Sequence, residues 1–209
     1  YTRARDYSLR ALSLDDKLPE AHLAFADYKQ YYEWDWDSVK ESIEMAMKLN
    51  PGYPGVHVNY SNYLRSQGHY EEALFHAEKA VSLDPLSVNL LNNLANEYVV
   101  LKKFEEAEKT YQAALKVNPG SKPTLYEYGY MFVAMGEYQK CMEFAERINK
   151  TQNGWLENTN LMSLLYARSG KPEKALKRLN DYLENCEKNN EEANFWDLAV
   201  LYNNTGNHR

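Results

Sequence analysis

Small and apolar residues recur along this chain at helical spacing, and the recurrence itself repeats. Three phrases, Leu49-Asn50-Pro51, Leu83-Asp84-Pro85 and Val117-Asn118-Pro119, set the period, with successive prolines 34 residues apart. Let that proline be position 32 of each repeat. Position 8 then carries Ala26, Ser61, Ala95, Gly129, Ser163 and Ala199, all small. A small side chain is required where two antiparallel helices approach closely, because a large one would force them apart. Position 7 carries the large residues Phe25, Tyr60, Leu94, Tyr128, Met162 and Leu198. Position 20 reads Val39, Ala73, Ala107, Cys141 and Ala175, and position 27 reads Ala11, Ala46, Ala80, Ala114, Ile148 and Tyr182. Residues seven apart, such as Ala73 and Ala80, share one face of a helix.

The pattern predicts about twelve helices. One at 3–14 is the second helix of a partial repeat. Pairs follow at 20–33 and 36–48, 54–66 and 70–82, 88–100 and 104–116, 122–134 and 138–150, and 156–168 and 172–185, with a last helix at 192–203. Gly68, Gly136, Gly170 and Gly206 mark turns that follow helix ends. Pro172 sits where a helix is expected to begin, a position that tolerates proline. The first full repeat needs one extra residue, placed near Tyr31-Tyr32-Glu33-Trp34, and Lys102 stands where a turn glycine is expected. A left-handed lysine there costs on the order of 1 kcal/mol. The junction Thr151-Gln152-Asn153-Gly154 reads as the loosest, because it ends in Asn153 rather than proline.

A helix–turn–helix unit repeating every 34 residues resembles the tetratricopeptide repeat family over essentially the whole chain. The resemblance implies an all-α fold: a right-handed α-solenoid, or superhelix, of antiparallel helix pairs. The expected organisation is a single array over 1–209. It comprises a partial repeat at 1–16, full repeats at 20–53, 54–87, 88–121, 122–155 and 156–189, and the first helix of a further repeat at 192–209. A narrower resemblance rests on Pro19-Glu20-Ala21-His22-Leu23, Glu33-Trp34-Asp35-Trp36-Asp37 and Leu49-Asn50-Pro51-Gly52-Tyr53. These stretches look like the repeat regions of bacterial multidomain signalling or transcriptional regulators. In such proteins an effector domain is joined to the repeats, and none is present here.

Composition narrows the function. The net charge is −6, which argues against nucleic acid as the partner, since phosphate binding needs clustered Lys and Arg. No apolar run approaches the ~20 residues of a membrane span, and no signal peptide opens the chain. The expected compartment is the cytoplasm, or the periplasm if a membrane segment lies outside this chain. The two cysteines, Cys141 and Cys186, make neither a disulfide framework nor a metal cluster. There is no His-Glu-x-x-His motif and no phosphate-binding glycine loop. His22 and His57 share repeat position 4 and read as interface residues, while Cys141 falls on a small buried position. No catalytic residue, metal or cofactor is expected, and the chain is read as binding rather than catalysing.

In the family the first helix of each pair lines a concave surface, with contacts from repeat positions 2, 5, 6, 9, 12 and 13. Carried onto this chain, those positions single out Asn59, Asn62 and Arg65, then Asn89, Asn92, Asn93 and Asn96, then Tyr126, Glu127 and Tyr130. The fifth repeat adds Glu157, Asn160, Leu161, Leu164 and Arg168. Asn is a poor helix former, so six on one face are notable. An amide both donates and accepts, so a ladder of amides holds an extended peptide backbone without demanding a particular side chain. The alternative is a solvated face in an Asn-rich chain. A carboxylate-clamp version of the family grips chaperone tails, and Asn62 and Asn93 match two of its asparagines. Val58, Pro123 and Glu127 occupy its basic positions, so chaperone-tail binding is not expected. Tyr126 and Tyr130, one turn apart, make either an aromatic hot spot or a packing contact. Trp34 and Trp36 are expected to plug the inserted residue. The expected partner is a protein or peptide held in the groove. The alternative is a spacer or self-association platform for a neighbouring effector, working through the unpartnered helices at the two ends.

Overall fold

The computed structural model describes residues 2–151 and 160–189. The expected helix at 192–203, Gly206 and the 152–154 junction lie outside the described residues. The chain forms two compact units, Tyr1–Pro119 and Gly120–Arg209.

The first unit holds α1 (Thr2–Leu14), α2 (Pro19–Tyr28), α3 (Trp36–Leu49), α4 (Pro54–Ser66), α5 (Tyr70–Leu83), α6 (Val88–Val100) and α7 (Phe104–Val117). Each helix packs on its chain neighbours, and α2 also packs on α4, so antiparallel pairs stack in sequence order. The reason lies in the small positions. Val39, Ala73 and Ala107 at position 20, and Ala46, Ala80 and Ala114 at position 27, are all 0 % exposed. Ser61 and Ala95 at position 8 are equally closed off, so the two helices of a pair meet almost backbone to backbone.

One expected helix divides. The segment read as 20–33 is α-helical only to Tyr28, and Lys29–Glu33 then forms a π-helical turn that closes on Trp34 in the left-handed region at φ 56°. A π turn absorbs one extra residue without breaking the helix, and it lies where the repeat carries its surplus residue. Lys29 locks the turn by pairing with Glu33 and with Asp35, the latter at 3.1 Å. The plug expected of the two tryptophans is not formed as such. Trp36 is half-buried and meets Tyr63, whereas Trp34 stands 68 % exposed, turned outward by the left-handed backbone.

Asp35 caps α3 by accepting from the Ser38 N–H at 3.2 Å. Lys102 adopts φ 58°, the left-handed conformation that Gly68 adopts at the equivalent turn.

The second unit holds α8 (Lys122–Ala134), α9 (Tyr138–Thr151), α10 (Asn160–Arg168) and α11 (Pro172–Asn189). α8 packs on α9, α10 packs on both, and α11 packs on α10. Gly129 of α8 takes the place of alanine or serine because Leu161 of α10 fills the space. A Cβ added at Gly129 meets Leu161 Cδ2 at 2.4 Å. Leu161, expected on a ligand face, is therefore core, at 0 % exposed. The side chains of Glu157 and Asn160 lie outside the described residues.

Candidate partner-binding site

The candidate residues of the first unit lie on the first helices α4 and α6, and the structure joins several of them. Asn62 Oδ1 accepts from Arg65 Nη2 at 3.0 Å on its own helix and from Asn93 Nδ2 at 3.2 Å across to α6. Arg65 Nη1 donates to Glu97 Oε1 at 2.9 Å, and the Ser61 hydroxyl donates to the same oxygen at 3.2 Å. Asparagine, arginine and glutamate thus form one polar seam between two repeats.

Glu97 is the residue that sequence reasoning missed. It occupies position 10, where the other repeats of this unit carry Tyr28 and Tyr63, and it is 0 % exposed. A lone acid at an otherwise aromatic position is the available signal, since a buried carboxylate demands a partner. Burial pushes its carboxyl up from the ordinary value, and Arg65 and Ser61 pull it back only in part. Its second oxygen, Oε2, has no hydrogen-bond partner, and neither has Asn93 Oδ1, one turn earlier on α6. Two acceptors sealed from water on one helix turn make this the seam's most strained point.

The other asparagines divide by role. Asn59 Nδ2 donates to the Gly55 carbonyl of its own helix at 3.1 Å. Asn96 accepts from the Tyr111 hydroxyl of α7 at 2.5 Å, Asn92 is buried, and Asn89 is exposed. The uniform ladder expected from spacing is instead a mixture of inter-repeat struts and surface amides. Arg65 is held at two of its nitrogens yet keeps its side chain 34 % exposed, so a fixed cation faces solvent on this surface. In the second unit, Tyr126 and Tyr130 meet edge to face at 5.0 Å, and Glu127 beside them is half-buried.

A second polar pair lies between α4 and α5. His57 Nε2 sits 3.0 Å from the Pro51 carbonyl, so it carries the proton, and His57 Nδ1 accepts from His76 Nδ1 at 3.0 Å. Tyr60 and Phe75 enclose His76 edge-on. Burial, with the adjacent His57, pushes the His76 imidazole down. Periodicity gives no hint of this pair, because its members come from different helices.

Cys141 is 0 % exposed, its thiol is pushed up to about 12 by burial, and it donates to the Gly129 carbonyl at 3.4 Å. That is the chemistry of an inert packed thiol. Among the described residues, no group of three or more His, Cys, Asp or Glu is placed to hold a metal, and no helix is long and apolar enough to cross a membrane.

Comparison with known proteins fits this architecture. Tetratricopeptide repeat models match residues 54–87 and 88–121. An N-terminal acetyltransferase A complex subunit-like protein of Schizosaccharomyces pombe is 23% identical over 80% of this chain and 24% of its own length. A STIP1 homolog of Dictyostelium discoideum is 33% identical over 41% of the chain and 15% of its own length. The chain thus spans about a quarter or less of these relatives. A thermophilic repeat protein of Thermus thermophilus superposes with a TM-score of 0.70 at 21% identity, covering 90% of this chain and 98% of its own. That likeness shows the fold, an α-solenoid of helix pairs. With two matched repeats and the shared 34-residue period, the chain belongs to the tetratricopeptide repeat family.

Proposed function

We propose that this chain is a non-catalytic protein-interaction module whose first unit holds an extended partner segment along the first-helix face of α4 and α6. Repeat arrays of this family serve as scaffolds for protein partners, and the narrower proposal concerns where and how. The observation that carries it is Arg65. Glu97 and Asn62 fix its guanidinium, while a third of the side chain remains open to solvent. A cation whose rotamer is already set loses little entropy on binding. Beside it Asn59 and Asn89 offer amide groups to a partner backbone. Asn62, Asn92, Asn93 and Asn96 act chiefly by holding the surface in shape. Tyr126, Glu127 and Tyr130 are proposed as a separate contact patch of the second unit. The preferred segment carries a carboxylate or a run of free carbonyls for Arg65.

The stretches that look like bacterial signalling regulators support a sensory or scaffolding role within a larger cytoplasmic protein. They share no step with the binding test.

Peptides selected from a random library on the whole chain provide the probe. Replacing Arg65 alone would strand the Glu97 charge, so the informative variant is Arg65→Met with Glu97→Gln, which removes the cation and the buried charge together. The selected peptides should bind this variant roughly tenfold or more weakly at unchanged helical content. Unchanged affinity sinks the proposal.

A further inference from the structure

The seam between α4 and α6 has a fixed polarity. A guanidinium only donates, so Arg65 Nη2, at 3.0 Å, sets the Asn62 amide with its oxygen toward it. The same oxygen takes the Asn93 Nδ2 donor at 3.2 Å. Turning the Asn93 amide over would set two oxygens against each other. Turning Asn62 with it would set an NH2 group against Arg65. The Asn93 oxygen is therefore committed to the other side of its amide, where it is closed to solvent and meets no protein donor.

Glu97 stands four residues further on, on the same face of α6. Its Oε1 takes both donors that α4 supplies, Arg65 Nη1 and the Ser61 hydroxyl. Its Oε2 is closed to solvent and has no donor. Arg65 is the charged group acting on it. The titratable groups turned toward α6 from its other neighbours are engaged: Glu78 of α5 accepts from the Tyr98 hydroxyl, and the Tyr111 hydroxyl of α7 donates to Asn96. Two closed acceptors on one helix turn thus lack the same thing. A proton on Glu97 Oε2 supplies it, because the oxygen becomes a donor on the face that carries Asn93 and the buried negative charge disappears. Burial favours the same form. The Oε1 of a neutral acid still accepts from Arg65, so the guanidinium keeps its place. Its charge, however, loses its counter-ion, and the open third of the side chain then faces solvent as an uncompensated cation.

We propose that Glu97 is a proton-binding site that governs the α4–α6 face: an acidic partner segment sets a carboxylate against Arg65 while a proton from solvent adds to Glu97 Oε2. The exchange balances. The segment brings a negative charge, the proton removes the one on Glu97, and Arg65 stays paired throughout. Partner binding and proton binding are then reciprocal, each strengthening the other. Affinity rises as pH falls, because the proton that accompanies the segment is easier to take up. This rests on the reading of the α4–α6 face given above and adds its regulation and the charge of its partner.

The test uses the whole chain and histidine-free peptides selected on it from a random library. Titration calorimetry near pH 6, in buffers of different ionisation heat, should show net proton uptake by the parent on binding, and none by Glu97→Gln. Between about pH 5 and about pH 8 the parent's affinity should fall roughly tenfold or more. Glu97→Gln imitates the neutral acid and keeps Arg65, so it should retain the acid-pH affinity throughout, at unchanged helical content. Peptides with their carboxylates converted to amides should bind more weakly and without proton uptake. The proposal is overturned if the parent takes up no proton, if Glu97→Gln takes up as much, or if the amide peptides match the originals in affinity and uptake. Affinity unchanged in Arg65→Met/Glu97→Gln overturns the reading of the face itself, and this proposal with it. Affinity lost in that variant, without proton uptake by the parent, overturns this proposal alone.

Discussion

Asn93 reaches from α6 to within 3.2 Å of the Asn62 side-chain oxygen on α4, so two candidate ligand-binding amides bind each other. Their first duty is to hold successive repeats in register. Asn62→Ala and Asn93→Ala should each destabilise the fold by about 1 kcal/mol, and the double variant should cost measurably less than the sum. Denaturant unfolding of the four-member cycle checks this. Strict additivity would leave the amides as independent surface groups.

Glu97 is held in its neutral form more readily than a free glutamate, because burial outweighs the pull of Arg65. Its folded value lies above its unfolded one. The cost of ionisation is therefore absent below about pH 4.5 and appears as pH rises through the folded value. Glu97→Gln removes that charge and puts an N–H donor one turn from the unpartnered Asn93 oxygen. The variant should match the parent near pH 4 and exceed it by on the order of 1 kcal/mol at pH 7. Thermal melts across that range decide the sign.

His76 works in the opposite direction. Burial and His57 hold its folded value below that of a free imidazole, while Glu72 opposes the shift. Its contribution is present above about pH 6.5 and is lost as pH falls through the folded value. Stability should decline on acidification with a slope of at most about 1.4 kcal/mol per pH unit from this group. His76→Gln keeps a donor for His57 without titrating, and should flatten the decline. An identical slope in the variant would assign the pH response elsewhere.

Gly129→Ala pits helix propensity against packing. Alanine is favoured by about 1 kcal/mol in a helix interior. The added methyl, however, would sit 2.4 Å from Leu161 Cδ2, and overpacking of this kind costs about 1–3 kcal/mol. A net loss of stability is expected, with recovery in Gly129→Ala combined with Leu161→Val. A stabilised single variant would show that α10 moves aside freely.

Lys102 holds a left-handed backbone at φ 58°. Lys102→Gly should stabilise the first unit by up to about 1 kcal/mol, measured by chemical denaturation.

Much of the fold was legible because the repeat fixes which residues must be small. The alanines at positions 20 and 27 are closed off for the reason the period implies, and the surplus residue near Tyr31 surfaced as a π turn. The candidate site was legible only as a face. Spacing placed Asn59, Asn62 and Asn93 together, but it carries no record of hydrogen bonds between helices. The Asn62–Asn93 strut, the buried Glu97 and the His57–His76 pair arise from side chains meeting across repeats, which no single-helix pattern contains. Leu161 shows the same limit, since its burial follows from the glycine opposite it rather than from its own position.

The central claim is that a partner segment lies along α4 and α6. Hydrogen exchange of the whole chain, with and without a library-selected peptide, tests it most directly. The account predicts new protection in α4 and α6, centred on Arg65 and Asn93, with α5 and α7 unchanged. Protection confined to α5 and α7 would contradict it.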